Sequence, residues 1–393
     1  MVGINNPFLT GEVKPFKGPT RLLLGPGPQN AHPEVHAAMS LPQVGHMDVD
    51  FLAIVEDLKK LLRYVWQTNN TFTIPVSGTG SAAWEAAIAN LTEVGDTHLI
   101  CVNGYFGERA LDMHSRYGAN VQHIRKPYGT VFTLDEIRAG LEEHRPKLMW
   151  ICHAETSTGT KQPMEGVGKL CREYDCLLLL DTVTSICGVP VYIDDWLVDA
   201  AYAGTQKCMG CPPGVAPLTF GERALAKLAA RKTPVPNWYL DMTMIRKYIQ
   251  SSGGAPRVYH HTAPISMIYA MRVALQLVAE EGLENVWARH KSNADYLVAE
   301  LKKIGLEVMI EDADVRLPSL TTVVVPPGVD GKAVVVYMRE KFNIEIGLAL
   351  GELAGKVWRI GLMGYNSRKE IVQACVGSLA EALEVQGFRN SKM

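Results

Sequence analysis

Strand-like and helix-like segments alternate through much of this chain from about residue 71, and this alternation limits the fold more than any other feature. Short apolar runs such as TFTIPVS, HLICV, KLMWIC and CLLLLD stand between segments with helical spacing, such as SAAWEAAIANL and LDEIRAGLEEH. Apolar strands bounded by Gly and polar residues are typical of a largely parallel sheet covered by helices. The sequence therefore predicts an α/β fold whose ligand lies beyond the carboxyl ends of the strands.

The pattern changes after residue 265, where two long helical segments lead into a region of short strands. A helix around Ala333–Lys341 and a terminal helix over Lys369–Glu384 complete that region. We expect an extended N-terminal arm over 1–20, a large domain over 21–280 and a smaller α+β domain over 281–393.

Charge and apolar content exclude several kinds of partner. The formal net charge is −2 and the pI is near 6.6, which predicts no nucleic-acid partner and no attraction to an anionic membrane. No apolar run reaches the roughly 18 residues of a membrane span. Eight cysteines without a secretory signal favour a reducing compartment.

The stretch SGTGSAAW marks a turn from a strand into a helix. Gly78 and Gly80 allow the backbone to approach a ligand closely, and Ser81 is predicted to cap the helix. Free N–H groups at such a turn bind anions, so we predict a phosphate site; a plain structural turn is the alternative. The loose dinucleotide pattern of Gly78, Gly80 and Ala83 is a weak signal, because the next strand ends without a carboxylate for a ribose.

Asp181 and Lys207 are each predicted to end a strand at the same edge of the sheet. Asp181 follows the apolar run CLLLL and could hold a cationic ligand group in its charged state, or simply cap a helix. Lys207 follows the small and polar residues AGTQ; a desolvated lysine becomes a nucleophile toward aldehydes, whereas most lysines are surface residues.

A Cys-x-x-Cys pair, Cys208 and Cys211, directly follows Lys207. No second pair stands at zinc-ribbon spacing and no thioredoxin-like context surrounds it, while Pro212-Pro213-Gly214 indicates a tight turn. We therefore expect the lysine, and not the cysteine pair, to carry chemistry.

Taken together, these residues resemble a fold type I pyridoxal-phosphate enzyme, and DAAYAGTQKCMGCPPG resembles the lysine motif of class V aminotransferases. LLLGPGPQN, VSGTGSAAWEA, VNGYFGERA, HAETSTGTKQP, LLLLDTVTSICGVP, VYHHTAP and KVWRIGLMG resemble the alanine–glyoxylate (serine–pyruvate) aminotransferases over residues 20–385. The resemblance implies a mainly parallel seven-stranded sheet in the large domain, pyridoxal 5'-phosphate as cofactor, and transfer of an amino group from alanine or serine to glyoxylate.

The same resemblance implies a role for each matching residue. Lys207 would bind the cofactor aldehyde and move the substrate proton, and Asp181 would pair with the pyridinium nitrogen. Arg359 would clamp the substrate carboxylate, with Gly27 beside the substrate. Tyr259 and Thr262 would reach the phosphate of a neighbouring subunit, which implies a homodimer with shared sites. The other implied cofactor contacts are Thr79, Gly80, Ser81 and Gln206 at the phosphate, Thr156 at the ring oxygen, and Phe106 and Val183 on the two ring faces.

One departure and several alternatives remain at this stage. Where the family has Gly-Gly-Leu-Gly, residues 347–351 read GLALG. A 3-hydroxykynurenine transaminase would use the same scaffold with a different pocket. A cysteine desulfurase would need a loop cysteine, which Gly347–Lys356 lacks. A non-catalytic nucleotide-binding module is the alternative from another class.

The sequence ends in Ser391-Lys392-Met393, which resembles the peroxisomal Ser-Lys-Leu signal. We expect recognition by a peroxisomal import receptor and a peroxisomal location, with a cytoplasmic location as the alternative and glyoxylate as the preferred amino acceptor.

Overall fold

The computed structural model describes residues 14–249 and 257–388, so Ser391–Met393 and most of the expected N-terminal arm lie outside the described residues. Thirteen strands occur in the described residues. They are β1 (Leu22–Leu24), β2 (Phe72–Ser77), β3 (Thr97–Val102), β4 (Asn120–Arg125), β5 (Leu148–Cys152), β6 (Ala154–Glu155), β7 (Thr160–Lys161), β8 (Leu177–Asp181), β9 (Ala200–Tyr202), β10 (Val215–Phe220), β11 (Leu320–Val324), β12 (Ile344–Leu348) and β13 (Val357–Gly361).

Twelve α-helices connect these strands within the same part of the chain. They are α1 (Pro33–Met39), α2 (Val49–Trp66), α3 (Gly80–Leu91), α4 (Tyr105–Arg116), α5 (Leu134–His144), α6 (Val167–Glu173), α7 (Glu222–Ala229), α8 (Met242–Ile249), α9 (Ile265–Glu281), α10 (Leu283–Lys303), α11 (Gly331–Phe342) and α12 (Lys369–Val385). Short 3-10 turns lie at Gly351–Leu353 and Gly364–Asn366. None of the described helices combines the length and apolarity needed to cross a membrane.

The largest sheet has seven strands in the order β2-β10-β9-β8-β5-β3-β4. Neighbouring strands are parallel except at β10, which is antiparallel to both β2 and β9. This confirms the predicted α/β fold with a mainly parallel seven-stranded sheet.

Strand β8 lies in the middle of this sheet because the run Leu177–Leu180 is apolar on both faces. Leu177 and Leu179 pack in one hydrophobic cluster with α3 and α4, while Leu178 and Leu180 pack in another with α5, α6 and α9. Burying one leucine side chain contributes about 1.5–3 kcal/mol to stability. Helices on both faces therefore fix β8, and with it the position of Asp181 at its carboxyl end.

The second sheet contains four strands in the order β1-β12-β13-β11 and packs with α10, α11 and α12 around a third hydrophobic cluster. Gly282 separates α9 from α10, close to the expected domain boundary. Strand β1 pairs in parallel with β12 of this sheet, although the sequence placed Leu22–Leu24 in the large domain. Hydrogen bonding across more than 300 residues of separation leaves no local sequence pattern, so this pairing could not be foreseen.

Candidate active site

A cavity of about 180 Å³ lies at the carboxyl ends of β5 and β8 in the large sheet. Nine of the thirteen predicted site residues line it, namely Thr79, Gly80, Ser81, Phe106, Thr156, Asp181, Val183, Gln206 and Lys207. The predicted residues that do not line it are Gly27, Tyr259, Thr262 and Arg359. One cavity thus brings together the predicted phosphate turn, the carboxylate and the amine.

The phosphate turn presents unused donors to this cavity. Strand β2 ends at Ser77 and α3 begins at Gly80, with Thr79 and not Ser81 as the N-cap residue. Gly78 has a φ of +146°, and a Cβ there would lie 2.5 Å from the Cβ of Ala82. Among the described residues, neither the N–H groups of Gly80 and Ser81 nor the hydroxyls of Thr79 and Ser81 have a hydrogen-bond partner. A helix N-terminus with free donors binds an anion.

Gln206 and Trp84 add buried polar atoms to the cavity wall. The amide oxygen Oε1 of Gln206 and the indole Nε1 of Trp84 are buried and have no partner in the described residues. A buried polar atom without a hydrogen-bond partner lowers the free energy of unfolding by about 1–3 kcal/mol. A polar ligand in the cavity would satisfy these atoms, which the sequence had indicated only for Gln206.

Lys207 lies in a turn that follows β9, five residues beyond the end of the strand, and not at the strand end itself. Thr205 holds the turn after the strand, with its single hydroxyl proton shared between the Pro212 carbonyl at 2.9 Å and the Val215 carbonyl at 3.0 Å. The side chain of Lys207 is 8% exposed and its Nζ donates to the Pro26 carbonyl. Burial, assisted by the positive charge of Arg359, lowers the pKa of Lys207 to about 8. The amine is therefore free as a nucleophile in an appreciable fraction of molecules near neutral pH.

Gly27 lies against the side chain of this lysine. A Cβ at Gly27 would come within 2.6 Å of Lys207 Cδ, and the φ of +105° also requires glycine. Gln29 holds the same loop, its Nε2 donating to the Lys207 carbonyl at 2.7 Å. The segment after β1 therefore connects the small sheet to the lysine turn.

Asp181 is the last residue of β8, as expected, and its carboxylate faces two donors. Oδ1 accepts from the Val183 N–H at 2.8 Å, and Oδ2 accepts from the Tyr202 hydroxyl at 2.7 Å. Burial raises the pKa of Asp181 to about 6, while both hydrogen bonds and the nearby Lys207 ammonium oppose that rise. The carboxylate is therefore mostly ionised at neutral pH and available to a cationic ligand group.

The helix that carries Phe106 is fixed by a buried carboxylate that the sequence analysis missed. Glu155 accepts from the Phe106 N–H at 3.2 Å and from the Ser157 hydroxyl at 2.6 Å. Gly104 is required here, since its Cβ would lie 2.3 Å from the Glu155 side chain. Burial raises the pKa of Glu155. Phe106 is held at the cavity wall, with the Arg109 guanidinium 5.1 Å from its ring centroid.

Arg359 lies on β13 of the small sheet and reaches Thr156 of the cavity wall. Its Nε and Nη2 donate to the Leu348 carbonyl, and its Nη1 donates to the Thr156 carbonyl at 3.2 Å. These three bonds leave two of the five guanidinium N–H groups for a ligand. Leu348 belongs to the divergent GLALG segment, but the contact is made by its backbone, so the altered side chain does not remove it.

Tyr259 and Thr262 lie outside the cavity on the surface. Tyr259 is 61% exposed and Thr262 is also exposed. The neighbouring His261 ring shares a 2.6 Å hydrogen bond with the Ser77 hydroxyl, at the end of the strand that leads to the phosphate turn. The segment is therefore anchored near the turn, while its two predicted phosphate ligands are exposed and do not line this chain's cavity.

The Cys208 and Cys211 thiols are buried and free. Burial raises the pKa of Cys208 to about 11 and that of Cys211 to about 12, so both remain protonated near neutral pH. No group of metal-binding side chains occurs in residues 14–249 and 257–388. Burial and protonation of both thiols favour a packing role for this pair.

Comparison with protein families and with known proteins agrees with this arrangement. The model of the family "Aminotransferase class-V" matches residues 30–373. An alanine–glyoxylate aminotransferase of Callithrix jacchus is 44% identical, covering 95% of this chain and 90% of that protein. The (S)-ureidoglycine–glyoxylate transaminase of Bacillus subtilis is 37% identical, covering 93% of this chain and 91% of that protein.

A solved structure with a similar fold is the alanine–glyoxylate aminotransferase of Nostoc sp.. It is 56% identical, with a TM-score of 0.92, and the match covers 95% of this chain and 97% of that chain.

Proposed function

This chain belongs to the class V aminotransferase family, and from that premise we propose that it transfers the amino group of alanine or serine to glyoxylate. The products would be glycine and pyruvate, or hydroxypyruvate when serine is the donor. One observation carries the proposal: the buried amine of Lys207, the Asp181 carboxylate and the free N–H groups of the phosphate turn line one cavity. Relatives named for alanine and glyoxylate, 44% and 56% identical over nearly the whole chain, support the choice of substrates.

The cavity fits pyridoxal 5'-phosphate as the cofactor. When bound, this group supplies an aldehyde that bonds to amines and a ring that accepts electrons. Gly80 and Ser81 would hold its phosphate with N–H groups that are unpaired in the described residues, and Gln206 would donate to it from its amide nitrogen. Asp181 would hold the proton of the ring nitrogen, and Phe106 and Val183 would cover the ring faces.

Lys207 would hold the cofactor and move the substrate proton. Its lowered pKa, about 8, leaves the free amine available both for covalent attachment and for accepting that proton. Arg359 would bind the substrate carboxylate with its two unused N–H groups, in a fork that positions the reacting carbon. Thr156, whose carbonyl orients Arg359, would connect the substrate end of the cavity to the ring oxygen.

We further propose that two copies of the chain complete each site. Trp238, Tyr239, Val258 and Tyr259 are exposed, and the Trp238 ring stacks on His260 at 4.3 Å. We call these residues, with His260, the aromatic patch. Exposed aromatic clusters of this kind mark protein–protein interfaces. Tyr259 and Thr262 on this surface would then reach the phosphate turn of the partner.

The decisive experiment measures amino transfer by the purified protein with glyoxylate as acceptor. Alanine, serine, 3-hydroxykynurenine and (S)-ureidoglycine serve in turn as donors, and the yellow colour of bound pyridoxal 5'-phosphate is recorded. We expect alanine or serine to give the highest kcat/KM. A colourless protein that does not take up the cofactor would contradict the proposal, whereas preference for another donor would contradict only the substrate assignment.

The peroxisomal location remains a prediction that rests on Ser391–Met393 alone. A fluorescent protein fused to the N-terminus tests it by comparing the full chain with a version that lacks this tripeptide. Import of the full chain alone would support the prediction, and diffuse cytosolic fluorescence from both would contradict it.

A further inference from the structure

Three aromatic side chains form a layer on the sheet face next to Asp181. The Trp84 ring of α3 stacks on Trp150 of β5 at 5.3 Å and on Tyr202 of β9 at 5.4 Å. Trp150 and Tyr202 lie side by side beneath it, because the Trp150 Nε1–H donates to the Tyr202 hydroxyl at 3.0 Å. Tyr202 in turn donates to Asp181. A continuous hydrogen-bond chain therefore runs from an indole to the carboxylate inside an otherwise apolar core.

The direction of this chain is fixed by the chemistry of its members. An indole N–H can only donate, so the Tyr202 oxygen must accept from Trp150. The single hydroxyl proton of Tyr202 then goes to Oδ2 of Asp181, while the Val183 N–H occupies Oδ1. Each carboxylate oxygen keeps one lone pair for a further donor, so Asp181 can accept from a cationic ligand group while both hydrogen bonds remain. Protonating Asp181 weakens both hydrogen bonds, because a neutral carboxyl is a poorer acceptor than a carboxylate.

Burial and the charges around Asp181 act in opposite directions. Removal from water favours the neutral form of Asp181. The nearest other titratable groups, the buried Glu155 carboxyl of β6 and the Cys152 thiol of β5, carry no positive charge that would favour its ionised form. The Lys207 ammonium favours the carboxylate but is itself partly deprotonated near neutral pH. The Tyr202 and Val183 hydrogen bonds are the remaining groups that favour the ionised form.

We propose that Tyr202, oriented by Trp150, is a positioning residue that holds Asp181 as an ionised acceptor aimed at the cofactor ring. This inference rests on the proposed function, because it assigns a purpose to Asp181 in that cavity. Tyr202 also lines the cavity, but its hydroxyl proton goes to Asp181, so it acts through that carboxylate. The Trp84 ring covers Trp150 and Tyr202 and shields their hydrogen bonds from water.

The test measures the dissociation constant of pyridoxal 5'-phosphate from the full-length protein at about pH 6, near the Asp181 pKa, and at about pH 8.5, well above it. Tyr202→Phe removes one oxygen atom and keeps the ring layer. We expect its dissociation constant to rise about fivefold near pH 6 and much less near pH 8.5, since raising the Asp181 pKa by one unit lowers its ionised fraction near pH 6 about fivefold. The acidic limb of the kcat/KM profile should move to higher pH by about one unit.

Two further variants make the result specific. Tyr117→Phe is the matched control, because the Tyr117 hydroxyl donates to the Glu85 carboxylate at the same 2.7 Å but neither residue lines the cavity. It should leave the dissociation constant unchanged at both pH values. Trp150→Phe keeps the aromatic layer but frees the Tyr202 oxygen to reorient, so we expect an effect of about threefold in the same direction, weaker than the loss of a full hydrogen bond.

The outcomes separate this inference from the proposed function. Equal weakening by Tyr202→Phe at both pH values, or none, would overturn the inference while leaving the function in place. If Tyr202→Phe does not fold, the pH dependence of Trp150→Phe decides in the same way. Failure of the unsubstituted protein to bind pyridoxal 5'-phosphate would overturn the proposed function and, with it, the inference.

Discussion

The cavity wall around Asp181 and Lys207 and the surface around Tyr259 were both predicted to contribute cofactor contacts, the second to a neighbouring subunit, yet they differ in burial. Lys207 and Asp181 are buried at the end of a central sheet whose helices fix their position from both faces. Tyr259 and Trp238 are more than half exposed, and the patch has large rings facing outward. A buried position is determined by this chain's own core, whereas an exposed aromatic position acquires a defined environment only when something covers it.

This difference in burial distinguishes the cofactor contacts that one chain supplies by itself from those that require a second copy of the chain. Within one chain the phosphate turn supplies two free N–H groups, and the amine and carboxylate already have their partners. The contribution expected of Tyr259 and Thr262 depends on assembly. Substitutions in the cavity should therefore lower activity within each chain, whereas substitutions at Tyr259 and Thr262 should affect the site of the partner. The largest expected effect comes first.

The largest effect is expected from Lys207→Ala. This change removes both the covalent attachment of the cofactor and the group that moves the substrate proton, so kcat should fall by more than about 1,000-fold. The protein should keep its fold and its oligomeric state, measured by circular dichroism and sedimentation. Substantial remaining transamination would show that the amine of the cavity is not the reacting group.

Asp181→Asn should have the next largest effect. An amide carries no charge to hold the ring proton, and a neighbouring charge of this kind shifts a pKa by about 1–3 units, so we expect kcat to fall about 10- to 1,000-fold. Cofactor should still bind. The ionised Asp181 is lost from the unsubstituted enzyme as the pH falls through about 6, so the variant should also lack an acidic limb near that pH. Rates near those of the unsubstituted enzyme would mean that Asp181 only ends the strand.

Local patterns in the sequence were sufficient for the buried half of this site. Apolar runs bounded by Gly and polar residues located β2 and β8, so Gly80 and Asp181 could be placed at the same sheet edge. Tyr202 and Glu155 were missed because their importance comes from partners in other strands or helices. Tyr202 did carry one signal, since a tyrosine in the strand beside β8 stands in register with Asp181.

Long-range placement was harder to foresee. The pairing of β1 with β12 brings Gly27 against Lys207, although 180 residues separate them in the chain. The Arg359 guanidinium reaches the cavity through backbone carbonyls of Leu348 and Thr156, which no side-chain pattern reveals. Such contacts depend on how the two sheets pack, and the family resemblance, not periodicity, pointed to Arg359.

The double substitution Tyr259→Phe with Thr262→Val tests the two predicted phosphate contacts on the exposed surface. Removing two hydroxyls that hydrogen-bond a phosphate should weaken cofactor binding about tenfold or more, because a hydrogen bond to a charged group contributes about 1.5–3 kcal/mol. Tyr174→Phe, which removes a surface hydroxyl donating to Glu142, is the matched control and should have no effect on cofactor binding.

Mixing this double variant with Lys207→Ala then distinguishes shared from separate sites. If two copies share each site, a mixed dimer contains one intact site with Lys207 from one chain and Tyr259 from the other. At a cofactor concentration below the dissociation constant of the double variant, activity should therefore rise on mixing the two proteins under conditions of subunit exchange. No recovery in verified mixed dimers would show that each chain completes its own site.

The smallest effect is expected from Cys208→Ser and Cys211→Ser, although both residues are close in sequence to Lys207. Their thiols are buried and protonated, and each contacts a backbone carbonyl at 3.5 Å: Thr184 for Cys208 and Pro212 for Cys211. Replacing sulfur by a hydroxyl in such a place costs about 1–3 kcal/mol of folding stability if its hydrogen bond is poor, but it changes no reacting group.

We therefore expect kcat within about twofold of the unsubstituted enzyme and a lower midpoint of thermal unfolding, as for a core residue. Cys101→Ser, at a buried thiol on β3 that does not line the cavity, is the matched control and should lower the unfolding midpoint in the same direction. A loss of activity of more than about tenfold at Cys208 or Cys211, with the fold intact and Cys101→Ser fully active, would place a reacting thiol beside the lysine. That result would assign a reactive thiol to Cys208 or Cys211, although both thiols are buried and their raised pKa values keep them protonated.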